Sequence, residues 1–114
     1  MAGSEFVIER FTHDDERCEA SVRVPEDLRY FEGHFAGDPI VPGVAQLIGL
    51  VWDQARRAWP DLPAPIAVKR LKFRDALRPG HALSVALTRG PDRLTFEVRR
   101  GETLSTKGVL TLGS

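Results

Sequence analysis

Only one stretch of this chain, Val44 to Trp59, carries the apolar spacing of a long helix. Everything else with a clear pattern alternates at period two. Pro42 suits a first-turn position, where its missing N–H costs nothing, and Pro60 marks the stop. The first half of the segment (Val44, Ala45, Leu47, Ile48, Gly49, Leu50, Val51, Trp52) is apolar on every side. Such a helix is expected to be buried all round. The second half turns polar at Asp53, Gln54, Arg56 and Arg57, and the two arginines suit the negative end of the helix dipole. A lone apolar helix needs a cover, and the rest of the chain must supply it.

Six extended segments are predicted to do so. Phe6 to Phe11 alternates loosely; Cys18 to Val24 carries Ala20, Val22 and Val24 at period two and ends at Pro25. After the linker Pro60 to Pro65 come Ile66 to Leu77, His81 to Thr88, Arg93 to Arg99 and Thr103 to Leu112. Their turns are Arg78-Pro79-Gly80, Arg89-Gly90-Pro91-Asp92 and Arg100-Gly101-Glu102. The sets Leu83, Val85, Leu87 and Leu94, Phe96, Val98 alternate cleanly, which predicts a four-strand antiparallel meander with one buried face. The fold class is therefore α+β, an antiparallel sheet wrapped around one long central helix. At 114 residues this is one domain, read as 7–114. Gly3-Ser4-Glu5-Phe6 reads as a translated pair of cloning sites, so Met1 to Phe6 are set aside. A domain this small buries only somewhat over half of its unfolded surface, so a second subunit would help it.

Composition excludes several roles. The 16 basic and 16 acidic side chains cancel, which argues against a nucleic-acid partner. Cys18 is the single cysteine, so no intrachain disulfide forms and a reducing cytoplasm is the simplest location. The acidic neighbours Asp14, Asp15, Glu16 and Glu19 would raise its thiol pKa and blunt its reactivity. No apolar run approaches the roughly 18–20 residues of a membrane span, and the start is not a secretory signal. There is no Cys/His cluster for a metal, no glycine-rich phosphate loop and no Gly-x-Ser-x-Gly elbow.

Between the second strand and the helix lies Tyr30 to Gly43, dense in turn formers: Gly33, Gly37, Pro39, Pro42 and Gly43. That density predicts a loop held in one shape, the kind that carries function. The run Tyr30-Phe31-Glu32-Gly33-His34-Phe35-Ala36-Gly37-Asp38-Pro39-Ile40-Val41-Pro42-Gly43-Val44 closely resembles the signature of the hot-dog-fold 3-hydroxyacyl-[acyl-carrier-protein] dehydratases (FabZ/FabA-like). Leu71-Lys72-Phe73-Arg74 and Leu77-Arg78-Pro79-Gly80 extend the resemblance, and Pro42-Gly43-Val44-Ala45-Gln46-Leu47 is closer to the ApeI-like branch associated with aryl polyene synthesis. The resemblance implies a hot-dog homodimer with each active site at the subunit interface. It also implies a substrate carried on the phosphopantetheine of an acyl carrier protein or of CoA, with no further cofactor and no metal.

Eliminating water from a 3-hydroxyacyl thioester needs a base for the C2 proton, donors for the thioester oxygen and an acid for the departing hydroxyl. By resemblance the base is His34, whose ordinary pKa near 6.5 suits proton abstraction. His13 and His81 lie beside charged or turn residues and are expected to be solvated. Backbone N–H groups of Gly43 and Val44, at the positive end of the helix dipole, would polarise the carbonyl. By the same resemblance Phe35, Gly37 and Pro42 are expected to bind the substrate. The family's carboxylic acid stands fourteen residues after the histidine, and that position is Ile48, which donates no proton. Ile48 is instead expected beside the substrate; Gln46 could orient a water or hydrogen-bond the hydroxyl, and Asp53 and Asp38 are the candidate acids. Trp52 and Leu50 are candidates to line an acyl tunnel. Lys69, Arg70, Lys72, Arg74 and Arg78 form a basic run that is either a solvated strand face or a landing site for the phosphopantetheine phosphate or an acidic carrier. The readings this leaves are a dehydratase, a non-catalytic acyl-thioester-binding or partner subunit of a fatty-acid or polyene-type pathway, and a hot-dog thioesterase.

Overall fold

The structure, a computed structural model, describes residues 4–28 and 41–113. Strands β1 (Val7–His13) and β2 (Arg17–Arg23) precede the helix; β3 (Pro65–Phe73), β4 (Ala82–Arg89), β5 (Arg93–Arg100) and β6 (Thr103–Leu112) follow it. They form one six-stranded antiparallel sheet in the order β1-β2-β4-β5-β6-β3. The predicted meander is thus half right. β4, β5 and β6 follow one another, but β3 pairs with the far side of β6 and β2 takes the place beside β4. The sequence explains the exchange. The clean alternation of β4 suits an interior strand, whereas Lys69, Arg70 and Lys72 on β3 belong at an edge. β3 also ends at Phe73, short of the predicted Leu77, because the chain turns off there and buries Leu77.

The helix runs in three parts: α1 (Gly43–Ala45), a π-helical stretch (Gln46–Trp52) and α2 (Asp53–Ala58). Pro42 precedes it in extended conformation (φ −61°, ψ 151°), and the Gln46 N–H donates to the Pro42 carbonyl at 3.1 Å. In the middle the ladder widens, with Asp53 N–H reaching the Ile48 carbonyl five residues back. The Gln54 side-chain amide adds a bond to the Gly49 carbonyl at 3.1 Å near the return to α geometry. Trp59 ends the helix, its indole N–H donating to the Asp14 carbonyl at 2.8 Å.

Alternate residues of β2, β4 and β5 (Cys18, Ala20, Val22; Leu83, Val85, Leu87; Leu94, Phe96, Val98) are buried in one core with Ala45, Leu50, Val51 and Ala55 of the helix. Each large side chain so covered contributes about 1.5–3 kcal/mol before entropy is counted. Phe6 joins this core, its ring lying over Gly49. At Gly108 a Cβ would sit 2.6 Å from the Phe96 ring, so only glycine fits under that side chain. The expectation that the helix is buried all round fails along one stripe. Val44 is 64% exposed and Ile48 42%, because no described element lies over them. Among the described residues no helix is long and apolar enough to cross a membrane.

Candidate active site

The helix start and the end of β3 meet closely. A Cβ on Gly43 would fall 2.8 Å from the Phe73 ring, so this glycine is what lets the strand approach the first helical turn. Just before it, Val41 is buried and its N–H donates to the Leu77 carbonyl at 2.7 Å. The segment that follows β3 therefore lies beside the helix start. Val44 is exposed at that start, and Pro42 and Gly43 are half-buried.

Gln46 turns inward rather than toward a ligand. It is 3% exposed, accepts a hydrogen bond from the Thr106 hydroxyl at 2.5 Å and donates to the Val41 carbonyl at 3.4 Å. It ties the helix to β6 and to the turn that precedes the helix. Thr106 was not visible as a partner in the sequence, because sixty residues separate the two.

Along the exposed stripe the helix and β3 enclose an apolar groove of about 310 Å³. Leu47, Ile48 and Trp52 form one wall, Ile66 and Val68 another, and Leu110 the floor. Ile48 and Trp52 are thus brought together on one wall of the groove. Leu50 is fully buried in the core instead. Asp53 is exposed and lies outside the groove lining, so no carboxylate borders the groove among the described residues. Arg56 stacks its guanidinium 5.9 Å from the centre of the Trp52 ring. The walls from β3 and β6 were missed in the sequence, where Ile66, Val68 and Leu110 read as ordinary strand positions. His34, Phe35, Gly37 and Asp38 lie outside the described residues.

The basic run is divided by the fold. Lys69, Arg70, Lys72 and Arg74 are exposed, and Arg78 is half-buried in the turn before β4. Arg70 has a left-handed backbone (φ 55°) inside a bulge where Lys69 to Lys72 of β3 face Val109 to Lys107 of β6. Lys69 and Arg70 line a depression of about 280 Å³ with Arg93 and Asp92, a juxtaposition the sequence does not reveal.

Two other groups have shifted acidities. The ring Nδ1 of His81 accepts the Arg78 backbone N–H at 3.0 Å, so the side chain closes a turn instead of being merely solvated. Burial and the neighbouring Arg100 hold its pKa below the ordinary value, although Asp75 opposes this. Asp75 itself accepts hydrogen bonds from Arg100 at 2.9 Å and Ser105 at 3.3 Å, and the Arg100 guanidinium holds its carboxyl below the usual range. Cys18 is buried, and desolvation, aided by Glu19, pushes its thiol up to about 11. It is not a nucleophile at neutral pH. No group of His, Cys, Asp or Glu among the described residues could hold a metal ion.

Residues 10–109 match the family described as ApeI-like: ApeI dehydratase. This chain belongs to that family. The ApeI-like chain is also similar to curated 3-hydroxyacyl-[acyl-carrier-protein] dehydratases FabZ. One from Oenococcus oeni is 31% identical over 97 residues, covering 80% of this chain and 68% of that protein. One from Levilactobacillus brevis is 32% identical over 74 residues, covering 60% of this chain and 49% of that protein. In that second match the aligned part spans about half the relative's length. Among solved structures, a chain of the dehydratase heterocomplex ApeI:P from Xenorhabdus doucetiae superposes with a TM-score of 0.87 at 23% identity, covering 97% of this chain and all of that one. At that identity the match shows the fold, and the fold is the hot dog.

Proposed function

We propose that this ApeI-like chain is a 3-hydroxyacyl-thioester dehydratase subunit that works on acyl groups carried by the phosphopantetheine of an acyl carrier protein or of CoA. The observation that carries the reading is the apolar groove of about 310 Å³ running along the helix from Ile48 to Trp52. Its dimensions and lining suit an alkyl or polyene chain, and the loop motif at the helix start supplies the chemistry.

In this reading His34 takes the C2 proton. The N–H groups of Gly43 and Val44 receive the charge that develops on the thioester oxygen. Phe35, Gly37 and Pro42 shape the approach, and Ile48 and Trp52 hold the chain. Gln46 serves from behind, by fixing the Val41 carbonyl and hence the turn that presents those N–H groups. Of the basic run Lys69, Arg70, Lys72, Arg74 and Arg78, the last two are proposed to meet the carrier's phosphate or acidic surface. What supports this is the Val41–Leu77 hydrogen bond, which brings their segment beside the helix start. No metal or cofactor takes part in these steps. The buried free thiol of Cys18 suits a reducing cytoplasm.

The departing hydroxyl still needs a proton, and Ile48 cannot give one. General acid catalysis is typically worth about 10²–10⁴-fold. This favours a site shared with a second hot-dog subunit over one complete in a single chain. The sequence expects that subunit to be a second copy, while the ApeI:P relative is a complex of unlike chains. A chain that binds acyl thioesters and turns over only with its partner is the second reading, and Ile48 is the residue that favours it.

The test is interconversion of 3-hydroxyacyl and 2-enoyl thioesters by the purified protein, with His34→Ala and Ile48→Glu assayed beside it. Turnover that disappears in His34→Ala supports the dehydratase. Turnover gained only in Ile48→Glu supports the partner-dependent reading. Activity unchanged by His34→Ala refutes both.

A further inference from the structure

Between β3 and β4 the chain runs without helix or strand, yet it is pinned along its length. The Arg74 N–H donates to the Ser105 carbonyl at 2.7 Å, the Gly80 N–H to the Val24 carbonyl at 2.7 Å, and the Val24 N–H to the His81 carbonyl at 3.0 Å. Arg78-Pro79-Gly80-His81 closes as a turn, the His81 N–H donating to the Arg78 carbonyl at 3.2 Å. Gly80 supplies the left-handed backbone (φ 84°) that the third position of such a turn needs.

This segment reaches the helix start through the Leu77–Arg78 peptide unit. The carbonyl of that unit accepts the Val41 N–H at 2.7 Å, two residues before Gly43. Its N–H donates to the His81 Nδ1 at 3.0 Å. A trans peptide is planar, so the two contacts grip opposite ends of one rigid plate, and release of one end lets the other turn. The carbonyl end is held by a backbone group that never changes charge. The N–H end is held by a side chain that does. An imidazole nitrogen accepts only while it carries no proton, and in the imidazolium both nitrogens are donors. A proton on Nδ1 would set one N–H against another.

The surroundings favour the accepting form. Burial opposes a proton on His81 most; Arg100 at the end of β5 and Arg78 of the turn add to this, against the pull of Asp75. Asp75 is already engaged by Arg100 at 2.9 Å and by the Ser105 hydroxyl at 3.3 Å. The Glu26 carboxylate, from the segment after β2, lies 3.7 Å from where a Cβ on Gly80 would stand.

We propose that His81 is a positioning residue: its neutral Nδ1, by holding the Arg78 N–H, keeps the Leu77 carbonyl on the Val41 N–H and so fixes the helix start, and protonation of the ring releases it. The proposal rests on the reading of the Gly43 and Val44 N–H groups as the thioester site. It makes that site sensitive to a proton bound on another element, apart from the proton that His34 takes.

Two substitutions separate the bond from the charge. In His81→Asn the Oδ1 stands where Nδ1 stood, one bond beyond Cγ, and accepts without titrating. In His81→Leu nothing accepts. Amide NMR shifts are followed from roughly pH 7.5 to 5 in a His34→Ala parent, so that His34 adds no titration of its own. The Arg78, Val41 and Gly43 amides of the parent should move together, with one midpoint below about 6.5. With His81→Asn added, none of the three should follow that curve. With His81→Leu added, they should stay near the low-pH positions of the parent throughout. An Arg78 amide that titrates while Val41 and Gly43 stand still would overturn the proposal, as would the same titration with His81→Asn. If His81→Leu does not fold, the asparagine comparison decides. In the dehydratase assay, with His34 present, only about one ring in eleven still accepts one pH unit below the midpoint. The wild-type kcat/KM, relative to its value at pH 8, should there fall about tenfold further than that of His81→Asn. A difference under about twofold would also overturn the positioning role. A protein inactive in that assay counts against the dehydratase reading and leaves the amide titration to decide this one.

Discussion

Replacing Gln46 by leucine tests how the helix start is held. The substitution keeps the volume and removes both amide contacts. The Thr106 hydroxyl, 1% exposed, then loses its acceptor, and the Val41 carbonyl loses its long 3.4 Å donor. A buried hydroxyl left without a partner costs about 1–3 kcal/mol, and the longer contact adds little, so Gln46→Leu should lose about 2 kcal/mol. For a domain of this size that lowers the melting temperature by about 8 °C. Thr106→Val alone strands the Gln46 carbonyl oxygen and should cost a similar amount. The double variant replaces both polar partners with apolar ones and should cost clearly less than the sum, giving a coupling of at least about 1 kcal/mol. Urea denaturation of the four proteins measures it. Additive losses would refute the argument that Gln46 is a buried lock on the turn before the helix.

Three further outcomes follow from the same geometry. Gly108→Ala drives a Cβ to 2.6 Å from the fully buried Phe96 ring and should destabilise by about 1–3 kcal/mol in urea titration; adding Phe96→Leu should recover part of the loss, and a neutral Gly108→Ala would contradict the packing. The folded-state pKa of His81 is depressed, so the unfolded chain takes up the proton first, and stability present above about pH 6.5 is lost as pH falls through the lower folded value. Thermal melts from pH 7.5 to 5 should show this slope flattened in His81→Gln. Cys18, with its thiol at about 11, should react with Ellman's reagent at pH 8 on the order of a hundredfold more slowly than in urea-unfolded protein; equal rates would mean the thiol is not buried.

The fold was legible where burial leaves a period in the sequence. β2, β4 and β5 each hide one face, and their alternation shows it; the helix announces itself between Pro42 and Pro60. Strand order was not legible, because alternation says which face is buried and not which neighbour lies alongside. The charges of Lys69 to Lys72 were the available clue that β3 is an edge. At the site, Ile48 and Trp52 could be picked from the helix and do line the groove, while Gln46, expected to touch substrate, is buried behind the helix start. Its role depends on Thr106, and a contact across sixty residues leaves no mark in local pattern. The exposure of Val44 and Ile48 was not legible, because hydrophobicity does not distinguish an interior residue from one on an uncovered face.

The widened middle of the helix has a bearing on how such chains diverge. A turn closed by i to i+5 bonds holds one residue more than an α-helical turn needs, so Gln46–Trp52 can surrender a residue and close as an ordinary α-helix. The ends, fixed by Pro42 and Pro60, could stay where they are, and the change would be absorbed as rotation. A single-codon deletion in this stretch would therefore act at the groove as a substitution does, turning a different side chain into it. The distance in residues from loop to helix carboxylate is, on this view, a gauge that evolution can reset without disturbing the scaffold around it.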